Sequence, residues 1–269
     1  MATQTEKAQQ FLALHHTNPP LLMPNPWDVG SARLLASLGF EALATTSSGY
    51  AATLGQLDGS VSRDQAIGHG ADLATATDVP VSADLENGFA DIPEDVAATV
   101  GLAIEAGLAG GSIEDYSGSR LYPHDLAVAR VAAAAEAAHR APRRFVLTAR
   151  AENYLRGNPD LADTIARLQA FQEAGADVLY APGLSDLNDI RTVVAAVDVP
   201  VNVLALPTAP SVAELREAGV KRISVGGAFA FVAIGALMAA ARELREQGTY
   251  GFWNTAGPGA NAARSAFAR

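Results

Sequence analysis

The run Ala174-Gly175-Ala176-Asp177-Val178-Leu179-Tyr180-Ala181 follows a helical stretch, Leu161–Ala174. Gly175 ends that helix in the left-handed conformation, and the residues after it enter a strand over Asp177–Ala181. The same punctuation recurs at Leu38-Gly39-Phe40, Ala106-Gly107-Leu108 and Ala218-Gly219-Val220. Two further strands open alike, with Asp78-Val79-Pro80-Val81 and Asp198-Val199-Pro200-Val201. Proline is tolerated at a strand's first residue, where no ladder hydrogen bond is yet needed. Strands are expected at Leu21–Met23, Ala42–Thr46, Val79–Ala83, Gly111–Glu114, Phe145–Ala149, Asp177–Ala181, Val199–Leu204 and Arg222–Val225. Val96–Ala106, Leu126–His139 and Val212–Ala218 are helical stretches between them. Strands alternating with helices imply parallel pairing through right-handed crossovers. Eight such units predict a (β/α)8 barrel of the TIM type. An open doubly wound sheet is the competing fold, but Met23-Pro24-Asn25-Pro26-Trp27-Asp28 lacks the glycine fingerprint of its first turn. Ala228–Gln247 reads as one long helix. Gly248-Thr249-Tyr250-Gly251 breaks it, a short Ala-rich tail follows, and residues 1–269 are expected to form a single domain.

Composition narrows the function classes. The chain has 269 residues, 49% of them hydrophobic and 18% charged, which excludes a disordered protein. The 24 glycines show no three-residue period, so collagen is excluded too. No apolar run reaches the roughly 18 residues of a membrane span. The net charge of −10 disfavours nucleic acid and anionic lipid as partners. With no cysteine there is no disulfide, thiolate metal site or cysteine nucleophile. Met1–Gln10 is polar and lacks a signal core, so a cytoplasmic enzyme or binding protein is expected.

In a barrel of this type the site lies at the C-terminal ends of the strands. Asp28 follows the first strand, and Thr46-Ser47-Ser48-Gly49-Tyr50 follows the second. The third ends in Asp84-Leu85-Glu86-Asn87-Gly88, the fourth in Glu114-Asp115 and the fifth in Arg150-Ala151-Glu152. Asn202 lies in the seventh. Asp84, Glu86 and Glu114, with Asp58 or Asp115, are expected to converge at one rim. Carboxylates packed together repel, and a hard divalent cation relieves them. Mg2+ suits such a site, because it takes one or two carboxylates and keeps several waters; Mn2+ is the alternative. Arg150 offers a planar fork to a carboxylate or phosphonate, or it pairs with Glu152 or Glu114. Ser48-Gly49 can present backbone N–H groups to an anion. None of His15, His16, His69, His124 and His139 has zincin spacing. Gly226-Gly227 opens a helix after the last strand, which in a phosphate-binding barrel would seat the phosphate without a metal.

Taken in order, these segments resemble the isocitrate lyase / phosphoenolpyruvate mutase superfamily. The matching stretches are Asp28-Val29-Gly30-Ser31-Ala32-Arg33, Ser47-Ser48-Gly49, Asp84-Leu85-Glu86-Asn87-Gly88, Ile113-Glu114-Asp115, Ala149-Arg150-Ala151-Glu152 and Glu173-Ala174-Gly175-Ala176-Asp177. They span about residues 20–245. The resemblance implies a Mg2+-dependent barrel that makes or breaks a C–C or P–C bond next to a carboxylate. It implies Asp84 as direct metal ligand, Glu86 in place of the family's second Asp, and Glu114 and Asp58 holding metal-bound waters. Ser48 and Gly49 would bind the substrate carboxylate, with Asp28 and Asn202 as further substrate contacts. Arg150 would neutralise developing negative charge, with Tyr50 and His124 as further catalytic side chains. It also implies a homotetramer whose last long helix is exchanged between neighbours.

This chain departs from the family in two respects. It lacks the Cys-bearing segment that supplies the lyases' acid/base after the fourth strand. The Asn- and Lys-bearing gating loop of the mutases is also missing, for Tyr116-Ser117-Gly118-Ser119-Arg120-Leu121-Tyr122-Pro123-His124 is a short connection. Tyr116, Tyr122 and His124 are the local candidates for the missing acid/base, and of these side-chain types histidine is best suited to the role near neutral pH. The leading expectation is a Mg2+-dependent lyase of a small 2-oxo or 2-hydroxy di- or tricarboxylate, acting through an enolate. A phosphonate-handling enzyme, an oxaloacetate-type hydrolase and a non-catalytic carboxylate-binding barrel are the alternatives.

Overall fold

The computed structural model describes residues 3–268. Gly39, Gly107, Gly175 and Gly219 have φ of +89°, +89°, +102° and +87°, so each helix stop is the left-handed one that its glycine predicts. Helix α1 (Gln4–Leu14) precedes strand β1 (Leu21–Met23) and helix α2 (Val29–Ser37). Strand β2 (Leu43–Ala44) is followed by two helices, α3 (Ser47–Thr53) and α4 (Arg63–Ala76). The alternation continues through β3 (Val81–Asp84), α5 (Pro93–Glu105), β4 (Gly110–Glu114), α6 (His124–Arg140), β5 (Val146–Arg150) and α7 (Leu161–Glu173). It closes with β6 (Val178–Tyr180), α8 (Leu187–Ala195), β7 (Val201–Leu204), α9 (Val212–Glu217) and β8 (Arg222–Ser224). All pairs are parallel, in the order β1-β8-β7-β6-β5-β4-β3-β2. The remaining seam, between β1 and β2, is held by the Ala44 N–H donating to Pro24 O at 3.1 Å. Asn25 braces the same seam. Its Nδ2 donates to Thr45 O at 2.9 Å, and its Oδ1 accepts from the N–H groups of Val225 and Gly226. The result is the expected (β/α)8 barrel.

Several strands are a residue or two shorter than the sequence suggests. Where proline opens the run, the ladder starts one residue later, at Val81 and Val201. Pro80 and Pro200 still serve it as acceptors, from the Leu43 and Leu179 N–H groups. Helix α1 plugs the floor of the barrel. Phe11 is fully buried and clusters with Leu21, Met23, Val146 and Val178 near the N-terminal ends of the strands. A Cβ on Gly110 would stand 2.7 Å from the Phe11 ring, so glycine is what lets the plug seat. The end of the chain differs from expectation. After α10 (Ala228–Gln247) and the left-handed Gly248, residues Trp253–Phe267 form a further helix, α11, which packs on α2. The Ala-rich tail is thus a helix despite Pro258.

Candidate active site

Two cavities open at the C-terminal ends of the strands. The outer one, about 810 Å³, is lined by Asp58, Arg63, Glu86, Glu114, Tyr116 and Arg156 among others. The inner one, about 180 Å³, lies inside the barrel and includes Ser48, Asp84, Tyr180, Asn202, Arg222 and Ser224. Arg150 and Asp58 border both.

Arg150 organises the mouth. From the end of β5 its guanidinium reaches Asp84 Oδ1 at 3.1 Å, Glu114 Oε2 at 3.0 Å and Glu152 Oε1 at 2.8 Å. These carboxylates hold it firmly protonated. Three acids on one guanidinium leave a surplus of negative charge. Burial, then Asp84 and Asp58, push the Glu86 carboxyl up to about 7. Burial pushes Glu114 up to about 8, with Glu152 and Asp84 adding to the effect and Arg150 opposing it. Asp84 is held on both sides, because Ser47 Oγ donates to its Oδ2 at 2.9 Å and its own N–H donates to Thr45 Oγ1 at 2.8 Å. Glu86 sits at φ +48°, a left-handed conformation that costs a non-glycine residue free energy. The turn is fixed by the Glu86 N–H donating to Asp84 Oδ1 and the Glu114 N–H donating to Glu86 O. Backbone strain therefore coincides with carboxylate crowding.

The expected site residues separate into two groups. Asp58, Asp84, Glu86, Glu114, Arg150, Ser48 and Asn202 all line one or both cavities. Four others are placed differently. Asp28 caps α2, accepting from the Ser31 N–H at 2.6 Å, and faces an apolar groove with Trp27, Leu34 and Phe229. Gly49 is a packing glycine. A Cβ there would lie 2.6 Å from Thr46 and 3.2 Å from Ala230, and its N–H caps α3 through Thr46 Oγ1. Tyr50 stacks on His69 at 3.9 Å beside a small pocket behind Asp84 and Glu86. His124 is the first residue of α6, half-exposed next to Asp125, and lines neither cavity.

The connection after β4 is a tight hairpin, with Tyr116 bridged to Leu121 and the Ser117 N–H donating to Arg120 O. Of the three acid/base candidates on it, only Tyr116 faces the outer cavity. Tyr122 is buried; its hydroxyl donates to Asp91 and accepts from Asn87, and Arg130 covers its ring. Asp115 is also turned away from the mouth, bound by the Glu152 N–H and by Arg167. Reading the sequence did not single out Ser47, Arg156 or Arg222. Arg156 pairs with Glu114 and Glu152 and lies 3.9 Å over the Tyr116 ring. At Gly226-Gly227, the Gly226 N–H is already taken by Asn25, which removes one donor from a phosphate seat.

The sequence matches the phosphoenolpyruvate phosphomutase family over residues 11–245. The chain belongs to the isocitrate lyase / phosphoenolpyruvate mutase superfamily. A crystal structure from Burkholderia cenocepacia J2315, provisionally named a lyase/mutase, is 53% identical with a TM-score of 0.93, covering 97% of this chain and 95% of that one. The 2-methylisocitrate lyase of Escherichia coli K12 is 32% identical over 196 residues, 68% of this chain and 64% of its own. An oxaloacetate acetylhydrolase, solved with its product oxalate, is 26% identical with a TM-score of 0.85 over 93% and 90% of the two chains. Proteins named as lyases, mutases and hydrolases thus share this barrel. No helix among the described residues is long and apolar enough to cross a membrane.

Proposed function

We propose that this superfamily member is a divalent-metal-dependent lyase, with Mg2+ the preferred ion and Mn2+ the alternative. Its substrate is a small 2-oxo or 2-hydroxy acid bearing two carboxylates, and its reaction passes through an enolate. The carrying observation is the mouth itself, where Asp84, Glu86, Glu114 and Glu152 crowd around Arg150 and two of them are pushed towards neutrality. Among the described residues no three side chains stand in the geometry of a preformed metal cage. The donors are nonetheless all carboxylate oxygens, and Mg2+ needs only one or two of them besides water. Asp84 would hold the ion directly; Glu86, Glu114 and Asp58 would hold its waters. Bound there, the ion would supply Lewis-acid stabilisation of negative charge next to a carbonyl. Arg150 stabilises the same charge from β5 through a planar fork, and Ser48 offers its hydroxyl to the substrate carboxylate.

The inner cavity, about 180 Å³, favours a compact diacid over a tricarboxylate. With no cysteine in the chain, the familiar acid/base of isocitrate cleavage is missing. Both observations favour, as a second reading, an oxaloacetate-type hydrolase, as the similarity to oxaloacetate acetylhydrolase suggests.

Oxalate is a planar dianion like pyruvate enolate and cannot react, so a site built for the intermediate should bind it tightly. Titration calorimetry should show oxalate binding with Mg2+ and none with chelator. Asp84→Ala should abolish it, and Arg150→Lys should weaken it by about 1–3 kcal/mol as the fork is lost. Oxalate binding that survives chelation, or that ignores Arg150→Lys, would overturn this reading.

The expected partner is a second copy of the chain, in a homo-oligomer of the tetrameric kind. Helix α10 buries only Ala230 among its residues, while Phe231, Val232, Ile234, Leu237 and Met238 stay exposed. A second copy is the economical cover for such an apolar face, seated by exchange of the arm. Light scattering should find an oligomer, and Leu237→Asp should dissociate it. A monomeric wild type at working concentration would refute the exchange.

A further inference from the structure

The inner cavity holds a second arginine, Arg222 on β8, which the proposed mechanism does not use. Only 2% of it is exposed. Its Nε donates to Asn202 Oδ1 at 2.9 Å, and its Nη1 lies 3.2 Å from His15 Nε2. His15 Nδ1 is 2.7 Å from Phe11 O, so Nδ1 carries the proton and Nε2 accepts from Arg222. Among the described residues, Nη2 has no hydrogen-bond partner and no carboxylate comes within ion-pairing distance of Arg222. Burial draws the guanidinium down to about 9, with Tyr180 opposing the shift, which leaves it cationic at neutral pH.

An unpaired buried cation is costly, and proteins generally compensate it with an anion. Here the compensation is not a protein side chain. The guanidinium borders a cavity that carries Asp58, Asp84 and Arg150 on its lining together with the uncharged hydrogen-bonding side chains Ser82, Ser112, Tyr180 and Ser224. Thr148 Oγ1, two residues before Arg150 on the same strand face, is also buried without a partner. Arg150 and Arg222 stand on strands three apart, on cross-strand neighbours running Arg150, Tyr180, Asn202, Arg222. The cavity therefore has one arginine saturated with carboxylates at its mouth and one free of them towards its floor.

We propose that Arg222, steered by Asn202 and His15, is an inner subsite for the second carboxylate of a small diacid. This assignment rests on the metal–carboxylate reading of the mouth, and it makes Arg222 the residue that separates diacids from monoacids. One carboxylate binds at the mouth with the 2-oxo or 2-hydroxy oxygen, and the other points into the barrel. A ligand with a methyl group in the second position would leave Arg222 without its counter-charge.

Lactate and malate isolate the effect, since they differ by one carboxylate. Calorimetry with Mg2+ should show wild type binding one malate enantiomer at least about tenfold more tightly than lactate. Arg222→Met should bring malate to within about twofold of lactate and leave lactate affinity unchanged. A purely structural role for Arg222 would weaken both acids alike. Equal binding of the two acids by wild type, or a malate preference that survives Arg222→Met, overturns the inference. If oxalate still binds with Mg2+ in that case, the reading of the mouth stands and only the inner subsite falls. Should Arg222→Met not fold, wild-type crystals grown with malate decide the matter. A carboxylate on the Arg222 guanidinium supports the subsite, and malate with both carboxylates at the mouth overturns it.

Discussion

Arg150 and Arg222 enter one cavity from strands three apart, and each is buried, yet their surroundings are opposite in charge. Arg150 holds three carboxylates within 3.1 Å. Arg222 holds a neutral amide and a neutral imidazole. Around Arg150 the protein has more negative charge than one guanidinium covers, and around Arg222 it has none. The mouth is thus suited to a cation, and the floor to an anion. A metal chelated by a diacid is such a pair, so the contrast follows the polarity of the ligand proposed above.

The largest test of this contrast is to remove each charge in turn. Arg150→Met leaves Asp84, Glu114 and Glu152 buried without their common partner. Losing one side of a buried ion pair typically costs about 3–5 kcal/mol. Arg222→Met removes a charge that nothing balances. The gain from that is set against the donor lost to Asn202 and His15, so the net change should lie within about 1 kcal/mol of zero. Urea denaturation without metal or ligand checks both variants at neutral pH. Equal losses would mean that the two arginines serve the fold alike, and the comparison would break.

How much of this was legible depends on whether a residue's role is local. The glycine stops could be read because a left-handed residue after a helix is a property of three consecutive positions. The strand-end acids could be read because a barrel sends every strand end to one rim. Asp28 and Gly49 were selected for the same reason. Each follows a strand, but Asp28 spends its carboxylate on the Ser31 N–H, and Gly49 makes room for α10. Tyr50 and His124 lie in the right segments with their side chains committed elsewhere, one stacked on His69 and the other half-exposed. Ser47 escaped notice because its role depends on Asp84, 37 residues away. Arg222 left a fainter signal, a charged residue alternating with Ile223 in a buried strand. That pattern points a cation inwards, but only the tertiary structure shows that no acid meets it. Helices α6 and α10 make the same point at larger scale. Both are long and rich in Ala, yet α6 buries Ala127, Val131, Ala134, Ala135 and Ala138, whereas α10 projects with only Ala230 covered. The α11 helix was hidden by Gly257-Pro258-Gly259, residues of low helix propensity whose cost is met by packing on α2.

The smaller test concerns His15, the neutral partner at the floor. Burial and the neighbouring Arg222 draw its pKa from 6.5 down to about 3, against a single favourable contact from Phe11 O and with His16 adding a little more repulsion. A proton on Nε2 would place a second cation 3.2 Å from Nη1 of Arg222, so the native ring stays neutral through mild acid. In the unfolded chain the same ring takes a proton near pH 6.5. Below that pH the unfolded state binds more protons than the native one, and stability falls as pH falls, down to about pH 3 where the native ring also titrates. At pH 5 this group alone costs about 2 kcal/mol relative to pH 7.5. His15→Gln keeps a donor for Phe11 O and an acceptor for Arg222 while removing the titration. Urea denaturation at pH 7.5 and pH 5 should show the wild type losing about 2 kcal/mol more than His15→Gln between those values. The carboxylates at the mouth titrate in both proteins and cancel in the difference. An identical pH dependence would mean that His15 is charged in the native protein. The floor would then hold two cations, and its contrast with the mouth would be sharper than drawn here. A difference of the expected size fixes the floor as one cation among neutral groups, and makes the anion that Arg222 awaits a matter for the ligand alone.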